Sequence, residues 1–156
     1  MDDKTNVMRI LDKKKIDYKW HSYDSAEAIS GMEVAAVLQQ EPDMVFKTLV
    51  TTGKSGSYYV FMVPVNRELD LKKAAKAVGE KKIEMIKSKE LLPLTGYIHG
   101  GCSPIGMKKQ FPTVIHETAE DKEHIMFSAG KIGYQIETSP AELKKIVNYR
   151  FADVCE

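Results

Sequence analysis

Two apolar, β-prone runs, Met44–Thr52 and Tyr58–Val65, flank the segment TGKSGS (52–57), and this pairing constrains the fold more than any other feature. Two glycines in the connection and apolar residues on both sides predict a β-hairpin. The first run contains VFKTLV (45–50), in which five residues suit a buried strand and the remaining one is Lys47. Lysine is among the side chains least suited to burial. A lysine on an edge strand discourages aggregation; a lysine facing a cleft is a fixed cation that can hold a carbonyl or phosphate oxygen. Spacing alone leaves both readings open.

Helices and strands are interleaved around this hairpin. Val7, Ile10 and Leu11 predict a first helix to about Lys14, and the aromatic alternation of DYKWHSY predicts a strand. Ser30 with Glu33 three residues later forms a capping-box pattern for a second helix, ended by Pro42. Asp70 caps a helix whose Leu71, Ala74, Ala75 and Val78 share a face and which Gly79 stops. KKIEMI reads as a short strand and SKELLP as a helical turn ending at Pro93. TVIH, IMFS and the end of SAGKIGYQIE are further strands, and SPAELKKIV closes the chain as a capped helix. Several strands follow one another directly, so antiparallel pairing is expected in an α/β fold of the α+β type. With no linker or repeat, residues 1–156 are expected to form a single domain.

Composition narrows the function. The formal net charge is +1, so the chain lacks the overall basic character of a strong nucleic-acid binder. Between Asp70 and Glu90, seven lysines face four acidic residues, a local surplus of three that is compatible with phosphate contact but usual for a solvated face. Two isolated cysteines, Cys102 and Cys155, allow neither a disulfide framework nor zinc spacing. No metal or cofactor is expected. The N-terminal residues are charged, with no apolar signal core or membrane span, which predicts a cytoplasmic protein. Phosphate-loop, H-E-x-x-H and G-x-S-x-G motifs are all missing. The four histidines are far apart in sequence. Thr95–Gly106, TGYIHGGCSPIG, contains four glycines, which favours close backbone approach and exposed N–H groups. Cys102 lies in that loop, but no base is identifiable beside it, and a small buried hydrophobe is its ordinary role.

Four segments taken together carry a resemblance. FKTLV (46–50), VPVNRELDLKKAAKAVGEKKIEM (63–85), TGYIHGGCSPIGMKKQFPTVI (95–115) and FSAGKIGYQIE (127–137) resemble, in order and spacing, the YbaK/EbsC family. That family is related to the editing (INS) domain of bacterial prolyl-tRNA synthetase, and the resemblance covers nearly the whole chain. It implies a mixed, largely antiparallel, barrel-like sheet with surrounding helices. It also implies trans-editing, the removal of cysteine from mischarged proline-specific tRNA and, less selectively, from cysteine-specific tRNA. Cysteine and proline are similar in size, so a synthetase pocket cannot reject one by volume and a second site must do so.

The resemblance assigns roles to residues. Lys47 matches the family's central lysine and Thr48 its neighbour. Gly100, Gly101, Cys102, Ser103 and Pro104 match a G-x-x-x-P loop whose amides, notably near Gly101, face the ester. Ser128 and Gly130 match a serine-glycine turn at the pocket, and Tyr23 a pocket aromatic. Ser30, Gln135 and Ile132 depart from the family pattern, which has an aromatic, an acidic residue and an arginine there. Ser30 and Gln135 are still assigned to substrate binding. The family scheme needs no enzyme nucleophile, because the substrate's own thiol attacks the ester and Lys47 and the loop amides assist. The implied partners are aminoacyl-tRNA and, transiently, prolyl-tRNA synthetase, with no DNA or membrane and a monomeric protein. Two alternatives stand beside this reading: clearing of alanyl-tRNA of the proline type by water attack, and a non-catalytic module that binds tRNA or a synthetase.

Overall fold

The computed structural model describes residues 4–156. The hairpin is present as β2 (Phe46–Gly53) and β3 (Tyr58–Pro64), paired antiparallel from Phe46 opposite Pro64 to Thr52 opposite Tyr58. The remaining strands are β1 (Lys19–Ser22), β4 (Ile83–Met85), β5 (Thr113–His116), β6 (Ile125–Ser128), β7 (Tyr134–Thr138) and β8 (Tyr149–Ala152). They form a five-stranded sheet in the order β4-β2-β3-β5-β8 and a three-stranded sheet in the order β1-β7-β6. Four of the six strand pairings are antiparallel; β3–β5 and β5–β8 are parallel. The fold is therefore mixed α/β with largely antiparallel pairing, as expected, and its strands form two sheets, with no closed barrel among the described residues. An isolated bridge between Val45 and Met126 joins them.

The hairpin strands carry cores on both faces. On β3, Val60 and Met62 enter the main core, whereas Phe61 and Val63 enter a second core on the opposite face. This explains the continuous apolar run, because a strand covered on both sides has no polar face to alternate. The main core fills the space between the two sheets with Phe127 and Ile136 from one and Val50 and Ile115 from the other. It is closed by α1 (Asn6–Lys13) through Val7, Met8 and Leu11. The second core packs α3 (Leu71–Val78) and the C-terminal Val154 and Cys155 against the outer face. A small third cluster seats Ala35 of α2 (Gly31–Val37) on Val45, Val65 and Met126.

The helix termini follow the caps read from the sequence. Ser30 and Glu33 make the reciprocal capping box of α2, and Asp70 accepts the N–H groups of Lys72 and Lys73 at 2.9 and 3.0 Å. α2 stops at Leu38, four residues before Pro42, which opens a short 3-10 turn. Three expectations are corrected. Leu71 is exposed, because the contact face of α3 is centred on Ala74 and Ala75. α4 (Ser88–Thr95) continues through Pro93; the Thr95 hydroxyl donates to the Leu91 carbonyl at 2.7 Å, and Gly96, at φ +86°, donates its N–H to Leu92 and ends the helix. The chain does not end on α5 (Pro140–Lys144), since β8 follows and pairs with β5. Among the described residues no helix is long and apolar enough to cross a membrane.

A buried polar knot ties the C-terminus to this frame. His116 is 1% exposed, its Nε2 lies 2.9 Å from Arg67 Nη1, and the Val154 N–H donates to its Nδ1 at 3.2 Å. Lys73 donates to the Cys155 carbonyl at 2.8 Å. Burial and the Arg67 charge both hold the His116 imidazole below its ordinary pKa. The folded state therefore refuses a proton that the unfolded chain accepts below about pH 6.5. Stability from this group is present above that pH and is lost as pH falls through the folded pKa. We predict a falling melting temperature between pH 7 and pH 5, and a flatter profile for His116→Gln, which is less stable at pH 8. An unchanged pH profile in that variant would sink this account.

Candidate active site

β2 is an inner strand, yet its first half has one open edge. β4 pairs only with Thr51–Gly53 and the Val45–Met126 bridge adjoins the start of β2, so among the described residues Lys47–Val50 has no ladder partner on that side apart from a long N–H···O contact from Ile86 to Val50. This edge lines a cavity of about 510 Å³. Its other walls are the start of α2, the β4–α4 connection, the glycine loop and the ends of β6 and β7. Such a volume is typical of a small-molecule site. Gly31 allows the close approach of α2, since a Cβ there would lie 2.4 Å from Val65 Cγ1.

The cavity gathers eight of the residues read from the sequence: Tyr23, Ser30, Lys47, Thr48, Gly100, Cys102, Ser128 and Gln135. Gly101, Ser103, Pro104 and Gly130 do not line it and support it from behind. A Cβ on Gly101 would come 3.2 Å from the Ile132 nitrogen, so the glycine lets the loop rest on the Lys131–Ile132 turn. Ser103 is fully buried, and its hydroxyl accepts the Ile105 N–H at 3.3 Å. Pro104 is buried. Gly130, at φ +91°, donates its N–H to the Ser128 hydroxyl at 3.1 Å. Ser30 is committed to its helix cap.

The expected loop amides near Gly101 are not equivalent. Gly101 N–H donates to the Ile98 carbonyl at 3.0 Å, closing a turn. The amides on either side, of Gly100 and Cys102, have no acceptor among the described residues, and both residues line the cavity. Lys47 shares its strand face with Leu49, which packs on the second core, while Phe46 and Val50 enter the main core. Its ammonium lies 3.6 Å from the carboxylate of the exposed Glu68. An ion pair this open to solvent contributes at most about 1 kcal/mol and is easily exchanged.

Two residues of the lining each carry a buried side-chain oxygen without a partner. Thr48 Oγ1 and Gln135 Oε1 are buried without any hydrogen-bond partner. Gln135 is only 6% exposed. The lining includes no aspartate or glutamate, and His99 sits at its mouth. Residues that sequence reasoning did not pick out include Ile29, Met85, Ile86 and Leu91. Their signal was absent because an apolar rim residue looks like any core residue in one dimension; Ile29 is in fact 85% exposed.

The architecture has relatives. A model of the aminoacyl-tRNA editing domain matches residues 26–146, which span every wall of the cavity except its Tyr23 corner. The chain belongs to the aminoacyl-tRNA editing domain family. This editing domain is 48% identical over 152 residues, 97% of this chain and 93% of the relative, to the Enterococcus faecalis protein named "Putative Cys-tRNA(Pro)/Cys-tRNA(Cys) deacylase EbsC". The YbaK/EbsC resemblance thus holds over nearly the full length. A solved structure described as "a putative trans-editing enzyme for prolyl tRNA synthetase" is 26% identical, with TM-score 0.80 over 89% of this chain and 87% of that one. The solved "hypothetical protein APE2540", 21% identical, shares the fold at TM-score 0.88 over 97% of this chain and 100% of that one.

The cysteines of this editing domain are poor nucleophiles. Burial pushes the Cys102 thiol up to about 12 and the Cys155 thiol to about 11. We predict that a disulfide reagent at pH 8 labels neither thiol of the native protein within minutes and both after denaturation, followed by thiol absorbance. Rapid native labelling of Cys102 would contradict its assignment as an inert wall residue.

Proposed function

We propose that the protein is a trans-editing deacylase that removes cysteine from mischarged proline-specific tRNA and, less selectively, from cysteine-specific tRNA. The observation that carries this reading is the pairing of an open-edged cavity, lined by Gly100 and Cys102 of the glycine loop with their amides unpaired, with the lack of an activated nucleophile beside it among the described residues. The 48% identity to the EbsC protein supports the substrate class. A site of this kind can hold a reacting ester but has little with which to attack it, so the attacking group is the substrate's own.

In this mechanism the cysteine thiol attacks the ester carbonyl carbon. A sulfur–carbon bond forms, the carbon–oxygen bond to the terminal ribose breaks, and the thiol proton passes to the ribose oxygen. A thiolactone and free tRNA leave. The protein holds thiol and carbonyl in attack geometry. Of the loop amides, those of Gly100 and Cys102 stabilise the developing oxyanion. Lys47 exchanges its loose contact with Glu68 for a substrate oxygen. Tyr23, Ser128 and the rim formed by Ile29 and Met85 enclose the aminoacyl end. Selectivity is chemical, since serine and alanine lack the thiol.

His99 at the cavity mouth favours a second reading, in which it activates water to clear alanine from the same tRNA. In either case the protein handles aminoacyl-tRNA. With a formal net charge of +1 it holds RNA weakly alone and works as a monomer in the cytoplasm beside prolyl-tRNA synthetase, in a transient complex.

Lys47→Ala is expected to lower kcat/KM for cysteinyl-tRNA at least tenfold in a deacylation assay, while the melting temperature stays near that of the wild type. Undiminished activity would remove Lys47 from the mechanism. Against a panel of mischarged tRNAs, cysteine is released fastest and serine hardly at all; rapid serine or alanine release would instead support water attack.

A further inference from the structure

The three-stranded sheet ends in a free edge that carries exposed aromatic rings. β1 pairs only with β7, which makes it the edge strand of its sheet. Trp20, the one tryptophan of the chain, lies on β1 and is 45% exposed. Its ring stands 6.2 Å from that of Tyr134 on β7, tilted by 39°. The Lys131 ammonium sits 5.6 Å from the centre of the Tyr134 ring. Among the described residues neither the Trp20 indole N–H nor the Tyr134 hydroxyl has a hydrogen-bond partner, and neither Lys131 nor the exposed Lys19 has a carboxylate partner. Large rings with unused polar tips, beside unpaired cations, are the composition of a recognition surface.

The turn that leads into β7 joins this surface to the cavity. A Cβ on Gly100 would lie 3.6 Å from the Ile132 side chain, and Tyr23 donates its N–H to the Gly133 carbonyl at 2.9 Å; Gly100 and Tyr23 both line the cavity. Lys131, at the start of the same turn, reaches the Tyr134 ring. Gln135 of the lining alternates with Tyr134 along β7, so the short way from the cavity to the rings is around this turn, over the 38% exposed Ile132. In an aminoacyl-tRNA the acyl end is joined to a terminal adenosine, and behind it come unpaired nucleotides. Unpaired bases stack on aromatic side chains, and their phosphates pair with lysines. We propose that Trp20, Tyr134 and Lys131 form the docking platform for the unpaired nucleotides that precede the terminal adenosine of the substrate tRNA. This inference rests on the aminoacyl-tRNA reading for its ligand and adds the route by which the RNA leaves the cavity. The lysine-rich stretch between Asp70 and Glu90 is less suited to the task. It contains no aromatic residue, and Lys73 and Lys82 within it are held by Asp153 and Glu84. Every base has a flat face, so the platform reads single-strandedness and not sequence. Stacking also lets a protein of formal net charge +1 grip RNA with few cations.

Trp20 is its own reporter, since no other tryptophan contributes to the emission of the chain. The probe is an acceptor-stem RNA microhelix whose unpaired end terminates in an amide-linked cysteinyl adenosine, titrated into the full chain. It is expected to quench the Trp20 emission saturably, whereas a blunt-ended microhelix leaves the emission unchanged. By anisotropy of the labelled RNA, Trp20→Ala should weaken binding about tenfold and Trp20→Phe should restore most of it. Lys131→Ala should lower the slope of log affinity against log salt by roughly one. In deacylation of cysteinyl-tRNA, Trp20→Ala should raise KM and leave kcat near the wild-type value, because the platform does not touch the ester. RNA binding without quenching would overturn the proposal, as would no RNA binding or an unchanged affinity in Trp20→Ala. Quenching by a synthetase but not by RNA would also overturn it and assign the surface to a protein partner. The catalytic reading fails separately: deacylation without quenching sinks only the platform, and quenching without deacylation sinks only the enzyme. If Trp20→Ala fails to fold, Lys131→Ala and the wild-type emission titration carry the comparison.

Discussion

The open edge of β2 is the constraint on which the site depends. A strand covered by cores on both faces is held firmly, and β4 leaves Lys47–Val50 without a ladder partner along one side. The cavity occupies that gap. If β4 continued along the whole of β2, the strand would have a full ladder and the protein would have no cleft. Ending β4 at Met85 places the start of α4 across the opening and makes the wall from Met85, Ile86 and Leu91. The glycine loop closes the far side, and it can do so because Gly101 has no side chain between it and the Lys131–Ile132 backbone. In the proposed reaction these walls and the unpaired loop amides position a reactive substrate without acting on it covalently.

Much of this was legible in the chain. The hairpin, the caps at Ser30 and Asp70 and the short strands TVIH and IMFS follow from local rules, because each depends on residues within a few positions. Several elements were not legible for the same physical reason. β8 is four residues long and earns its place only by pairing in parallel with β5, more than thirty positions earlier. α4 passes through Pro93 because Thr95 and Gly96 close its end, a tertiary detail that outweighs the usual breaking tendency of proline. Leu71 fell on the predicted buried face and is exposed, since small alanines set the contact of α3.

The site was legible in part. The motif segments contributed six of the eight expected residues that line the cavity, and Tyr23 and Ser30 came from outside them. What the segments did not convey was orientation. Which amide of the glycine loop is open depends on a single turn bond from Gly101 to Ile98. The direction of Lys47 depends on strand parity and on Glu68, which lies in a different segment of the chain. The buried, unpaired oxygens of Thr48 and Gln135 follow from tertiary packing that no local rule conveys. Each of these facts changes the chemistry assigned to a residue without changing the residue list.

The central claim is that this cavity receives the aminoacyl end and that the amides flanking Gly101 face its carbonyl oxygen. A crystal structure of the protein with the amide-linked cysteinyl adenosine tests it most directly. The account predicts the carbonyl oxygen at hydrogen-bonding distance, about 3 Å, from the Gly100 or Cys102 nitrogen. It also predicts the cysteine thiol packed over the same carbonyl carbon. A ligand bound outside the cavity, or one whose carbonyl points away from the glycine loop, would contradict it.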